Sequence, residues 1–174
     1  MKLETEEDIS AYYRGALIQQ TIELELRMEI LIGRFLSMNN QDRVLDLIEI
    51  FDIAKIDFSS KMTIIIYIIK KHFQDFQNKK GSISEDRSKL FEKMEYVMTK
   101  RNILAHRRNL DNNEKLKLSW AKTAKKSIQK NELILDKQFI NEFKEKCNEC
   151  LLILIELEIE VTEWIKSSLD EKQT

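Results

Sequence analysis

Met62-Thr63-Ile64-Ile65-Ile66-Tyr67-Ile68-Ile69-Lys70-Lys71-His72-Phe73-Gln74-Asp75-Phe76 is the stretch on which the fold class turns. Its five isoleucines have the β-branched side chains that pack well on a pleated sheet, so by composition alone it reads as a buried strand. Two features argue for a helix instead. Tyr67, Phe73 and Phe76 continue the apolar pattern at helical steps, and the pattern runs past the length of an ordinary strand. The rest of the chain agrees. There is no proline and there are only three glycines, Gly15, Gly33 and Gly81, in 174 residues. A sandwich, a barrel or a doubly wound sheet needs more turn chemistry than that at its connections.

Working outward, apolar residues recur at helical spacing from Glu6 to Ser37, through Ile9, Tyr12, Tyr13, Ala16, Leu17, Leu24, Met28, Leu31, Ile32 and Phe35. Thr5 with Asp8 fits a capping box, and Asn39-Asn40-Gln41-Asp42 supplies a break. A short helix from Asp42 to Lys55 carries Val44, Leu45, Leu47, Ile48 and Phe51 on or near one face. After the loop at Asn78–Ser82, Ser82 and Glu85 fit a second capping box, opening a helix that carries Leu90 through His106. Beyond Asn109 the character changes. Leu116-Lys117-Leu118-Ser119-Trp120 alternates as a half-buried strand does, and Glu132-Leu133-Ile134-Leu135 is its expected partner. The tip of that hairpin would carry Lys122, Lys125 and Lys126. A last helix starts at Asp136 and runs to Leu169. The expected fold is therefore all-α: one domain over residues 1–174, an up-and-down bundle of about five helices with a small β-hairpin insertion before the last helix.

Net charge is −1, which excludes a general polycation, but the charge is unevenly spread. Ten Lys or Arg lie between Lys100 and Lys130 against Asp111 and Glu114, so this segment carries +8 and the rest of the chain about −9. A solvated hairpin kept soluble by lysines would account for it, as would a surface for a polyanion. The apolar runs Met62–Ile69 and Leu151–Ile155 are shorter than the ~20 residues of a membrane span. The first eight residues are acidic and polar, unlike a secretory or transit signal, so a soluble cytoplasmic protein is expected. Cys147 and Cys150 lack the further donors a zinc site needs and read as reduced helical thiols.

Chemistry concentrates on the helix that ends at His106. Its apolar stripe is Leu90, Met94, Val97 and Leu104, and Arg101 falls in the middle of it. A buried cation needs a partner, which is either a structural carboxylate or a ligand such as phosphate. Beside the stripe, Glu95, Thr99, Asn102 and His106 form one polar strip. Arg101 and His106 together suit RNA cleavage, in which the 2′-hydroxyl attacks the adjacent phosphorus. An imidazole exchanges a proton near neutral pH and a permanent guanidinium stabilises the developing charge, so no metal and no cofactor are required. His72 reads as a surface or partly buried residue without a catalytic partner, and Trp120, flanked by Lys117 and Lys122, as an anchor for the hairpin ahead of a platform for an RNA base.

The string Arg101-Asn102-Ile103-Leu104-Ala105-His106 resembles the signature of HEPN domains, which is Arg, a polar residue often Asn, small and apolar residues, then His. The resemblance implies a helical bundle, metal-independent endoribonuclease activity, and a homodimer in which two motifs face one cleft. It also implies a toxin–antitoxin or antiviral, phage-defence role with an antitoxin or defence protein as partner. By the same resemblance Arg101 and His106 are catalytic and Asn102 positions the site; Glu95 joins them from the helical wheel alone. Arg107, Arg108, Lys122, Lys125 and Lys126 are the expected RNA-binding residues. Some toxins of the family have a tyrosine two residues after the His as a target of nucleotidylation. Here that position is Arg108, so the resemblance does not extend to that regulation. Two alternatives stay open: a non-catalytic HEPN-like module that binds nucleotide, RNA or protein, and a structural helical dimer in which Arg101 pairs with Glu95 of a neighbouring subunit.

Overall fold

The computed structural model describes residues 6–38, 40–79, 81, 86–106, 117–124 and 127–170, with side chains described for 11–38, 40–79, 81, 86–105 and 135–170. Five α-helices make a bundle: α1 (Glu6–Ser37), α2 (Gln41–Ile53), α3 (Phe58–His72), α4 (Leu90–His106) and α5 (Lys137–Asp170). The isoleucine-rich stretch is helical. Phe58, Lys61, Ile65, Ile68 and Ile69 are its buried face, spaced at three and four residues, so helical periodicity overrides β-branched preference.

Helix ends are set by local chemistry. Asn40 caps α2, its side chain accepting from the Arg43 N–H, and Asp136 accepts from the Phe139 N–H at 2.8 Å at the start of α5. The structure moves two starts. Helix α3 begins at Phe58 rather than Met62, because Asp57 caps it by accepting from the Ser60 N–H at 2.8 Å. Helix α4 begins at Leu90, about two turns later than the capping box at Ser82 leads one to expect, and the capping pair Ser82 and Glu85 lies outside the described residues. Just before α4, Arg87 turns inward, donating to Glu156 at 2.9 Å and Glu160 at 2.7 Å while its guanidinium lies over the Phe76 ring. Helix α2 ends in a Schellman pattern, with Ile56 N–H to Phe51 O at 3.0 Å and Lys55 N–H to Asp52 O at 3.2 Å. Lys55 stands at φ 50°, where glycine is the usual residue.

Cross-helix contacts give the helix directions. Glu25 and Glu29 of α1 meet Lys61 of α3, and Phe35 meets His72, so α1 and α3 run the same way. Arg27 and Arg34 meet Glu158, and Phe35 stacks on Trp164, so α5 runs with α1 too. Arg87 reaches Glu156 and Lys93 reaches Glu149, so α4 runs against α5. The common core is made by Leu17, Leu24, Met28, Leu31, Ile65, Ile69, Met94, Val97, Phe143, Cys150, Leu154 and Leu157, among others. Gly33 lets α2 approach α1: a Cβ there would lie 3.1 Å from Val44 Cγ1. Three side chains expected on the apolar faces, Tyr12, Leu45 and Tyr67, are exposed instead.

Between α4 and α5 the backbone forms two antiparallel strands, β1 (Lys117–Ala124) and β2 (Ser127–Ile134), in register from Lys117 opposite Ile134 to Ala124 opposite Ser127. No helix among the described residues is long and apolar enough to cross a membrane.

Candidate active site at the end of the fourth helix

Helix α4 buries Leu90, Met94, Val97 and Leu104 completely, as the stripe requires. Arg101 sits in line with them but is only half-buried, so its long side chain leaves the core at the bundle's edge. Its Nη1 donates to Asn102 Oδ1 at 3.3 Å. Among the described residues Arg101 forms no ion pair, whereas Lys61, Arg87 and Lys93 all do. Within the described residues the guanidinium thus lacks the carboxylate that a structural role would give it.

Glu95, Thr99 and Asn102 are exposed along one strip, as expected from the wheel. His106 is the last residue of α4, and its side chain lies outside the described residues. On α4 His106 stands roughly 7.5 Å from Arg101 along the axis and about 140° round it, and roughly 16 Å along the axis from Glu95. The fold therefore brings Arg101 and Asn102 together, holds His106 one and a half turns beyond, and leaves Glu95 three turns away on the same helix. Of the expected RNA-binding residues, Arg107, Arg108, Lys125 and Lys126 lie outside the described residues. Lys122 stands opposite Gln129 within β1, two residues before the strand's end rather than at a tip.

One residue of this region was not anticipated. Arg14 of α1 donates from Nε at 3.0 Å and from Nη2 at 2.6 Å to the carbonyl oxygen of Leu104, across a sequence separation of ninety residues. The signal was present: Arg14 precedes Leu17 and Ile18 by three and four residues, so it lies on the core-facing side of α1, as Arg101 does on α4. The bond itself depends on which turn of α4 lies opposite, and local periodicity carries no such information.

The other chemically notable groups are occupied structurally. A cleft of about 250 Å³ between α1 and α5 has Arg27 and Arg34 closing on Glu158, with Thr162 and Lys166 alongside. His72 is half-buried against Phe35 and Trp164. Cys147 and Cys150 are buried on α5, and burial pushes both thiols up to about 12, so neither is a thiolate near neutral pH. The chain matches no protein-family model, no curated protein and no solved structure.

Proposed function

We propose that this protein is a metal-independent endoribonuclease of the HEPN type, acting as a homodimer in a toxin–antitoxin or phage-defence setting. The observation that carries the reading is Arg101: a half-buried guanidinium beside Asn102, without a carboxylate partner among the described residues, on the helix that His106 ends. A structural arginine on a core stripe would be paired, as Arg87 is. An arginine awaiting a phosphate would be left as Arg101 is.

In the proposed reaction the RNA 2′-oxygen forms a bond to the adjacent phosphorus as the bond from phosphorus to the 5′-oxygen breaks. The 2′-hydroxyl gives its proton to a base and the leaving 5′-oxygen takes one from an acid. The products are a 2′,3′-cyclic phosphate and a 5′-hydroxyl. Arg101 stabilises the charge that builds on the non-bridging oxygens, and His106 moves a proton. One imidazole cannot readily serve both sides, so the second is assigned to His106 of a partner copy. The basic segment, which follows the motif in sequence, would hold the RNA backbone through Arg107, Arg108, Lys122, Lys125 and Lys126.

The test is incubation of pure protein with end-labelled single-stranded RNA in EDTA, with 2′-deoxy substitution at the scissile position as control. Cyclic-phosphate ends, and an intact deoxy substrate, are expected. Salt-dependent retention without cleavage would make this a binding module. Full activity in a monomer, checked by sedimentation, would remove the partner's imidazole from the mechanism.

A further inference from the structure

In α4 every backbone carbonyl points toward the C-terminal side, where Arg101 and His106 stand, and the Leu104 carbonyl lies between those two residues. Aligned peptide dipoles make that side of the helix electronegative. A phosphate approaching Arg101 and His106 comes in on that side and would be repelled by it. Arg14 counters this, since its fork closes on the Leu104 oxygen with two donors and places a full positive charge there. Leu104 lies three residues after Arg101 and two before His106, so the bond grips the backbone between the two motif side chains. A guanidinium has five N–H donors, and two of Arg14's point at Leu104.

We infer that Arg14 is a positioning residue of the proposed site, fixing the turn that bears Arg101 and His106 and offsetting the electronegative side of α4 so that an RNA phosphate can enter. This rests on the endoribonuclease reading. It assigns two separable roles. The charge governs how readily phosphate is bound, and the two-pronged grip governs how well the turn is aligned for reaction. A lysine supplies the charge but not the fork.

The experiment is steady-state RNA cleavage by wild type, Arg14→Lys, Arg14→Met and His106→Ala, with circular dichroism melts of each. Arg14→Met is expected to raise KM several-fold and to lower kcat on the order of tenfold or more, as misalignment of a reacting group does. Arg14→Lys should restore KM toward wild type while kcat stays reduced. All four proteins should be fully folded at the assay temperature. If wild type cleaves, His106→Ala does not, and Arg14→Met runs at the wild-type rate, the inference fails and the endoribonuclease reading stands. If the losses in Arg14→Met and Arg14→Lys merely track the unfolded fraction in the melts, Arg14 is a structural anchor and the inference is overturned. If wild type leaves RNA intact, the reading fails and Arg14's positioning role falls with it.

Discussion

Two arginines at the same end of the bundle illustrate how a cation's partner reveals its use. Arg14 spends two donors on a backbone carbonyl, while among the described residues Arg101 makes one long bond, to the side chain beside it in sequence. Removing Arg101 therefore leaves no buried carboxylate unpaired among the described residues. Arg101→Ala is expected to lower the free energy of unfolding in urea by no more than about 1 kcal/mol, the packing of its half-buried stem, since no buried partner is stranded. Under the proposed mechanism it should lower RNA cleavage by about a hundredfold or more, since a transition-state charge loses its donor. His106→Ala should cause a comparable or larger loss. A protein that unfolds on Arg101→Ala would restore the ion-pair account and remove Arg101 from the site.

Between helices, buried charge substitutes for part of the apolar packing. Lys61 of α3 donates to Glu25 at 2.8 Å and to Glu29 at 2.5 Å, and both the lysine and Glu29 are buried. Burial alone pushes the Lys61 ammonium down, but the hydrogen bonds it donates to the two glutamates outweigh that, and the group ends above its usual value of 10.5. Lys61→Met should cost about 3 kcal/mol in urea melts, because it strands Glu29 in the interior; Glu25, which is partly solvated, loses less. Adding Glu29→Leu should recover much of that loss, and an unchanged midpoint in the single variant would sink the argument. Backbone terms should work in the opposite sense at two positions. Gly15 is exposed within α1 and a Cβ there meets nothing within 4 Å, so Gly15→Ala should stabilise by about 0.5–1 kcal/mol. Lys55→Gly, which relieves the positive φ at the end of α2, should gain a similar amount. A loss in either variant, measured by thermal melting, would contradict this reading of the two helices.

The bundle as a unit should lose stability in alkali, and the order in which groups contribute follows from their positions. Cys147 and Cys150 are held at about 12 by burial, against an ordinary 9.0, so the folded protein keeps protons that the unfolded chain releases. By linkage their contribution is complete below pH 9 and declines as pH rises from 9 toward 12. Tyr96, raised to about 12 from 10.0 by burial and by Glu142, adds to the decline above pH 10. Lys61 has the same sign for a different reason: its raised value means that its stabilisation is complete below 10.5 and is lost as pH rises through the higher folded value. The thiols thus dominate the first unit of the decline. The melting temperature should fall between pH 9 and 10 in wild type, and replacing both cysteines by alanine should flatten that interval while leaving the steeper loss above it. An equally steep fall in the double variant would show that these thiols are not the groups responsible.

Much of this architecture is legible from residue order because a helix states its own periodicity. The stripe Leu90, Met94, Val97, Leu104 is buried as the spacing demands, and Asn40 and Asp136 cap helices where short polar side chains precede apolar runs. The isoleucines of α3 were legible only through their spacing, since their individual preference points to a strand. Arg101 could be singled out the same way, as a charge on an apolar line. Pairings between helices could not. That Arg14 meets Leu104, that Lys61 lies between Glu25 and Glu29, that Arg87 precedes α4 rather than continuing it, and that Leu45 faces water all depend on the rotation, offset and direction of helices far apart in sequence. Those are fixed by how whole surfaces of side chains fit together, and the sum of many weak contacts leaves no signature at any one residue.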